Sequence, residues 1–191
     1  MSPSAHGWRT FIAIGVVSLA ADLTTKSAIF AALGMPGMGG RIELVPRFLA
    51  FETNLNEGAL FGMGQGMGML FAGISVAALA GILAMVARPA TRASSWLVVA
   101  LALICGGILG NLYDRLGIPG LAWHAPAARV GDHVYAVRDW IHVTVPGVID
   151  WPIFNLADSW LVIGAGMILL ASLRNPPPEN LKAPDAASPA P

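Results

Sequence analysis

The sequence predicts an all-α polytopic membrane protein, with four transmembrane helices, a small extracytoplasmic β-like segment and an external loop. Three observations carry that expectation. Apolar residues make up 55% of the chain and charged residues 12%, about half the charged share of a soluble domain, and mean hydropathy is +0.66. Four apolar stretches are long enough to cross the hydrocarbon core of a bilayer at the rise of an α-helix. The polar groups of those stretches cluster at one end of the spans. Net charge is zero and no long basic run occurs, which argues against a nucleic-acid partner.

The first span is expected over 8–33. Phe11 to Ala21 on its own resembles a secretory signal, with Arg9 before it and Ser18-Leu-Ala20 as a cleavage-like site. The apolar pattern runs on through Asp22-Leu-Thr-Thr-Lys26 to Leu33, so one helix is the better reading. Asp22 and Lys26 stand four apart on one face, acid first, the order that favours an ion pair. They either neutralise each other inside the bundle or brace a polar site.

Gly34 to Gly40, with Pro36, ends that helix. Arg41 to Asn54 alternates weakly and is interrupted by Pro46, which predicts short strands or a hairpin at the membrane surface. A polar turn, Asn54 to Phe61, leads back into apolar sequence. The second and third spans are expected over 67–87 and 93–113, joined by the basic connection Arg88-Pro-Ala-Thr-Arg92. By the positive-inside rule that connection is cytoplasmic, although Arg115, Arg129 and Arg138 fall on the other side. Four spans then leave both termini in the cytoplasm.

At the end of the third span, Gly106 and Gly110 form a small-xxx-small pair suited to close helix packing. Asn111, Asp114 and Arg115 follow at i, i+3 and i+4, one polar face that serves either as an interfacial anchor or as part of a site. Gly117 to Arg138 is irregular and reads as an external loop or partial lid. Val137 to Val143 looks extended and interfacial, with Trp140 as a membrane-surface aromatic. The fourth span is expected over 151–173, and the proline-rich tail 175–191 as a disordered cytoplasmic segment after a single membrane-embedded domain, 1–174.

Asp158 is expected about two turns inside the fourth span, where an ionisable residue marks a functional site. Asn155 precedes it by three residues and shares its helix face. Two carboxylates held close cannot both ionise, so one keeps a proton while the other activates water. That chemistry needs neither metal nor nucleophilic side chain. The single Cys105 lies in an apolar run as a packing residue, and the four histidines show no ligand spacing, so no metal and no cofactor is expected. Spacing leaves the partner of Asp158 open among Asp22, Asp114, Asp139 and Asp150.

Five ordered blocks resemble the lipoprotein signal peptidase (signal peptidase II) family of membrane aspartic peptidases. They are Asp22-Leu-Thr-Thr-Lys26, Asn56-Glu-Gly-Ala-Leu-Phe61, Gly106-Gly-Ile-Leu-Gly-Asn-Leu-Tyr-Asp-Arg115, Val137-Arg-Asp139-Trp140 and Phe154-Asn-Leu-Ala-Asp-Ser159. The third and fifth together are the most specific. The resemblance implies a catalytic dyad of Asp139 and Asp158. Asn56, Asn111, Arg115 and Asn155 would support substrate or dyad, and Asp22 and Lys26 would form a supporting polar network. It further implies a monomeric enzyme of the bacterial cytoplasmic (inner) membrane, surrounded by membrane lipids, with its site on the extracytoplasmic side. That enzyme would cut diacylglyceryl-modified prolipoproteins just before the lipidated cysteine.

The sequence departs from the family pattern in three places. Leu60 replaces an Ala, Val-Arg-Asp-Trp replaces Val-Val-Asp-Phe, and the connection from Asp114 to Asp139 is longer. Ile149-Asp150-Trp151 also imitates the dyad motif, which keeps Asp150 as a rival to Asp139. The competing reading from a different class is a small proton-coupled membrane carrier using intramembrane acids; it predicts midplane acids and internal repeats, and no repeat is evident.

Overall fold

The computed structural model describes residues 3–58, 64 and 66–174. The tail expected to be disordered, 175–191, and the Ala59-Leu60-Phe61 end of the second block lie outside the described residues. Helix α1 runs Pro3–Leu33, followed by strands β1 (Arg41–Val45) and β2 (Leu49–Asn56). Helices α2 (Gly68–Ala87), α3 (Pro89–Ala93) and α4 (Ser95–Arg115) come next, then β3 (Val137–Val145), β4 (Ile149–Phe154) and α5 (Leu156–Arg174). Among the described residues four helices, α1, α2, α4 and α5, are long and apolar enough to cross a membrane.

Helix α4 is the centre of the bundle. Of its most apolar window 56% is buried, against 11% to 22% for the other three helices. Glycines make its contacts close. A Cβ at Gly106 would overlap Ser18 and the Gly15 carbonyl of α1, and one at Gly107 would lie 2.5 Å from the Ala157 carbonyl of α5. Gly110 faces Asp22 and Ala157 together. The expected close-packing pair is therefore real, and it serves two partners at once. Val98, Leu101 and Ala102 of α4 pack with Phe11 of α1 and with Ile82 and Val86 of α2 as the apolar core. The outward faces carry exposed Val16, Val17, Ile74, Val162 and Leu169, a surface that lipid tails solvate well.

Helix α1 stops where Gly34 takes φ +77°, a left-handed position at which a Cβ is strained, and its N–H closes onto the Phe30 carbonyl at 3.0 Å. The β part is larger than the sequence indicates. It is a four-stranded antiparallel sheet in the order β1-β2-β3-β4, so the architecture is mixed rather than all-α. Asn54 to Asn56 belong to β2 and not to a turn, with Asn54 opposite Asp139 and Asn56 opposite Val137. The basic connection contains the short helix α3, opened by Pro89 at a position that needs no N–H.

The largest correction concerns the fourth span. It begins at Leu156 instead of residue 151, and Asp150 and Trp151 lie on β4. Pro152 lies on β4, an edge strand that tolerates its missing N–H. Asp158 thus sits in the first helical turn, not two turns inside the span.

Candidate active site

The site forms where the start of α5, the last turns of α4 and the buried start of β3 meet. Asn155 immediately precedes α5 and acts as its N-cap. Its Oδ1 accepts the Asp158 backbone N–H at 2.9 Å, while its own N–H donates to Asp158 Oδ2 at 3.2 Å. This reciprocal exchange is a capping box built from an amide and an acid. The expected relation between Asn155 and Asp158, two residues sharing a helix face, is corrected to this cap. Asp22 completes the helix start from α1, its Oδ1 accepting the Ala157 N–H at 2.9 Å. Two of the backbone donors that a helix start leaves unmet are therefore satisfied by site residues.

Asn155 also joins the two acids proposed as a dyad. Its Nδ2 donates to Asp139 Oδ1 at 2.6 Å and to Asn111 Oδ1 at 3.2 Å. Asn111 in turn donates from Nδ2 to Asp158 Oδ1 at 2.8 Å. Asp139 is 1% exposed, and its Oδ2 has no hydrogen-bond partner among the described residues. Burial, with the Asp158 charge beside it, pushes the Asp139 carboxyl up to about 8; hydrogen bonds from Asn155 and Asn56 and the charge of Lys26 oppose the rise. Such an acid holds a proton at neutral pH.

Behind the acids lies a buried ionic cluster. Lys26 Nζ contacts Asp22 Oδ2 at 2.8 Å and Asp114 Oδ2 at 3.0 Å, and donates to Asn111 Oδ1 at 2.9 Å. Arg138 closes the cluster through Nε to Asp114 Oδ1 at 2.8 Å. The helical spacing of Asp22 and Lys26 made their pairing legible. The part taken by Arg138 was not, because its partner lies 24 residues away. Asn111 and Asp114 are buried within this polar network, not exposed as an interfacial anchor would be.

Arg115 is brought to the rim, donating from Nη2 to the Gly58 carbonyl at 3.0 Å within electrostatic reach of Asp158 and Asp139. The Asn56 side chain accepts the Gly58 N–H at 3.0 Å, which orders the chain leaving β2. The long connection before β3 returns to the same place. Arg129 holds Glu57 through two bonds, at 2.8 and 2.9 Å, and stacks on Trp123 at 4.1 Å. That clasp was missed because it joins two segments with no common periodicity. Asp150, the rival acid, sits apart on β4, exposed and bonded to His142 Nε2 at 2.7 Å.

Comparison with known proteins gives a consistent picture. Residues 14–174 match the family model for signal peptidase (SPase) II. A lipoprotein signal peptidase of Rhodopirellula baltica is 41% identical over 173 residues, covering 88% of this chain and 73% of that protein. The lipoprotein signal peptidase of Serratia proteamaculans is 34% identical over 171 residues, with 87% and 88% covered. Two bacterial membrane enzymes solved by the in meso method superpose with TM-scores of 0.71 and 0.68 at 29% and 30% identity. Those superpositions cover 93% and 87% of this chain and 94% of each of theirs.

Proposed function

The chain belongs to the signal peptidase II family, and from that premise we propose that it is an aspartic endopeptidase acting on diacylglyceryl-modified prolipoproteins. It cuts the peptide bond just before the lipidated cysteine. The observation that carries this reading is the Asn155 side chain bound to both acids, by Nδ2 to Asp139 and by Oδ1 to the Asp158 backbone. In the reaction, the ionised member of the pair takes a proton from water as the water oxygen attacks the scissile carbonyl carbon. The protonated member donates a hydrogen bond to the oxygen that becomes negative. Collapse of the tetrahedral intermediate breaks the C–N bond, and the proton goes to the departing cysteine amine. The two acids titrate as one unit, so the roles belong to the pair. Arg115 and the Asn56–Gly58 turn line the approach and orient the extended substrate.

Four apolar helices fit a multi-pass protein of the inner membrane. The reading places the sheet end and the acids on the extracytoplasmic side and both termini in the cytoplasm, with the enzyme acting as a monomer. A signal helix then ends beside the acids while the diacylglyceryl chains stay in lipid.

The direct test offers purified enzyme a lipidated precursor and the same precursor with an unmodified cysteine. Cleavage confined to the lipidated form, at the bond before the cysteine, is expected; equal cleavage of both would remove the substrate assignment.

The pH dependence follows from Asp139, whose carboxyl lies at about 8. Loss of the pair's single proton above that value removes the acid, so kcat/KM should fall about tenfold per pH unit on the alkaline side. A flat profile from pH ~7 to ~10 would contradict a shared proton. The stability effect has the same direction. The folded value lies above the ~3.9 of an unfolded Asp, so the contribution is full below pH ~4 and is lost as pH rises through about 8.

A further inference from the structure

The long connection between α4 and β3 is a built element. Its chain doubles back on itself: Trp123 donates its N–H to the Asp132 carbonyl, Gly131 to that of Trp123, and Val134 to that of Leu121, each at 2.9 Å. Val134 and Ala136 are buried with Phe30 and Met35, and Trp123 packs on the same cluster. A single 3-10 turn, Ala127–Arg129, lies between the two arms. Arg129 is therefore presented from a rooted support, with its guanidinium carbon 4.1 Å from the centre of the Trp123 ring.

Glu57 receives that guanidinium as a fork, Nη1 on Oε2 at 2.8 Å and Nη2 on Oε1 at 2.9 Å. Both side chains stay partly exposed, so the pair adds little to stability. Its effect lies in what it holds. The β2–β3 ladder ends at Asn56 opposite Val137, and Glu57 is the first residue beyond it. On one side of Glu57, the Asn56 side chain is hydrogen-bonded to Asp139. On the other, the Gly58 carbonyl accepts Arg115 Nη2, and the Gly58 N–H donates to Asn56 Oδ1. A two-bond fork fixes orientation as well as distance, and stacking on Trp123 restrains the arginine plane. On the endopeptidase reading above, we propose that Arg129 is a positioning residue for the reaction. Seated on Trp123, it holds Glu57 and so sets the Asn56–Gly58 turn that receives the extended precursor.

The test measures cleavage of a lipidated precursor by the purified enzyme in detergent, with thermal melts alongside. Arg129→Ala should raise KM about tenfold with kcat held within about twofold, since the acids keep their bonds to Asn111 and Asn155. The melting temperature should not move, because the pair is partly exposed. Arg129→Lys keeps the charge without the fork and should raise KM about threefold. Glu57→Ala should match Arg129→Ala, and the double variant should be no worse than either single change. An unchanged KM in Arg129→Ala, a loss of kcat that tracks a lowered melting temperature, or a double variant impaired about 100-fold would overturn the role of Arg129. A parent enzyme that cleaves neither the lipidated nor the unmodified precursor would instead overturn the endopeptidase reading, and this role with it.

Discussion

Asp139→Asn and Asp158→Asn are each expected to lower cleavage of a lipidated precursor by about 10³-fold or more, while the protein remains folded in the membrane. The two substitutions test the acids without dismantling their surroundings. At Asp139, the bond from Asn155 Nδ2 is accepted by Oδ1, and an asparagine oxygen accepts it equally well. At Asp158, Oδ1 and Oδ2 each accept one bond, from Asn111 and from the Asn155 N–H. An amide keeps one of these and loses the other, so that variant should also lose about 1–2 kcal/mol of stability. Asp150→Asn is the control. Its carboxylate is exposed on the edge strand, and near-normal turnover is expected. Cleavage assays alongside thermal melts separate the effects. If Asp139→Asn retained activity, or Asp150→Asn lost it, the dyad would have to be reassigned.

The second large effect concerns stability. Lys26→Met should destabilise the enzyme by about 3–5 kcal/mol, because it leaves buried carboxylates facing one another without the cation between them. Lys26 is fully buried and ties α1 to α4 through Asp114 and Asn111. Removing the acid on its own helix as well, in Asp22→Leu/Lys26→Met, should recover part of the loss. Apolar groups of similar volume often replace a buried pair at little cost. The recovery should fall short by about 1 kcal/mol, since Asp22 also caps α5 at Ala157. Thermal unfolding of detergent-purified proteins gives the comparison. A Lys26→Met protein that melts like the parent would show the cluster to be dispensable.

Much of this arrangement was legible in the residues for identifiable reasons. Apolar length located the spans, because crossing a bilayer requires it. Helical spacing paired Asp22 with Lys26 and grouped Asn111 with Asp114, since neighbours on one turn are fixed by geometry. The extra sheet strand was hidden for the opposite reason. Ile149, Trp151, Ile153 and Phe154 run straight into the apolar helix after them, and hydropathy carries no information on backbone shape. One local signal contradicts a continuous helix there, the N-cap pattern in Asn155 and Asp158. What joins Arg138 to Asp114, Arg129 to Glu57, and Asn155 to Asp139 is tertiary, set by how the sheet docks on the bundle. The family resemblance chose Asp139 over Asp150. The fold adds a physical reason, since Asp139 is buried beside the start of α5 and Asp150 stands in the open.

The pairing of Asp22 with Lys26 inside a single helix has a consequence for biogenesis. During synthesis α1 is made long before α4, which brings Asp114 and Asn111. A lone acid or base entering a bilayer as part of a nascent helix costs about 2.5–3.5 kcal/mol at the centre, less near the ends. Here the countercharge sits one turn away in the same segment, so α1 enters lipid already neutralised. When α4 arrives, Lys26 keeps its first partner and gains Asp114 and Asn111. Only with α5, the last of the described helices, does Asn155 join the acids. The contacts that bridge the acids therefore depend on the described helix that is translated last.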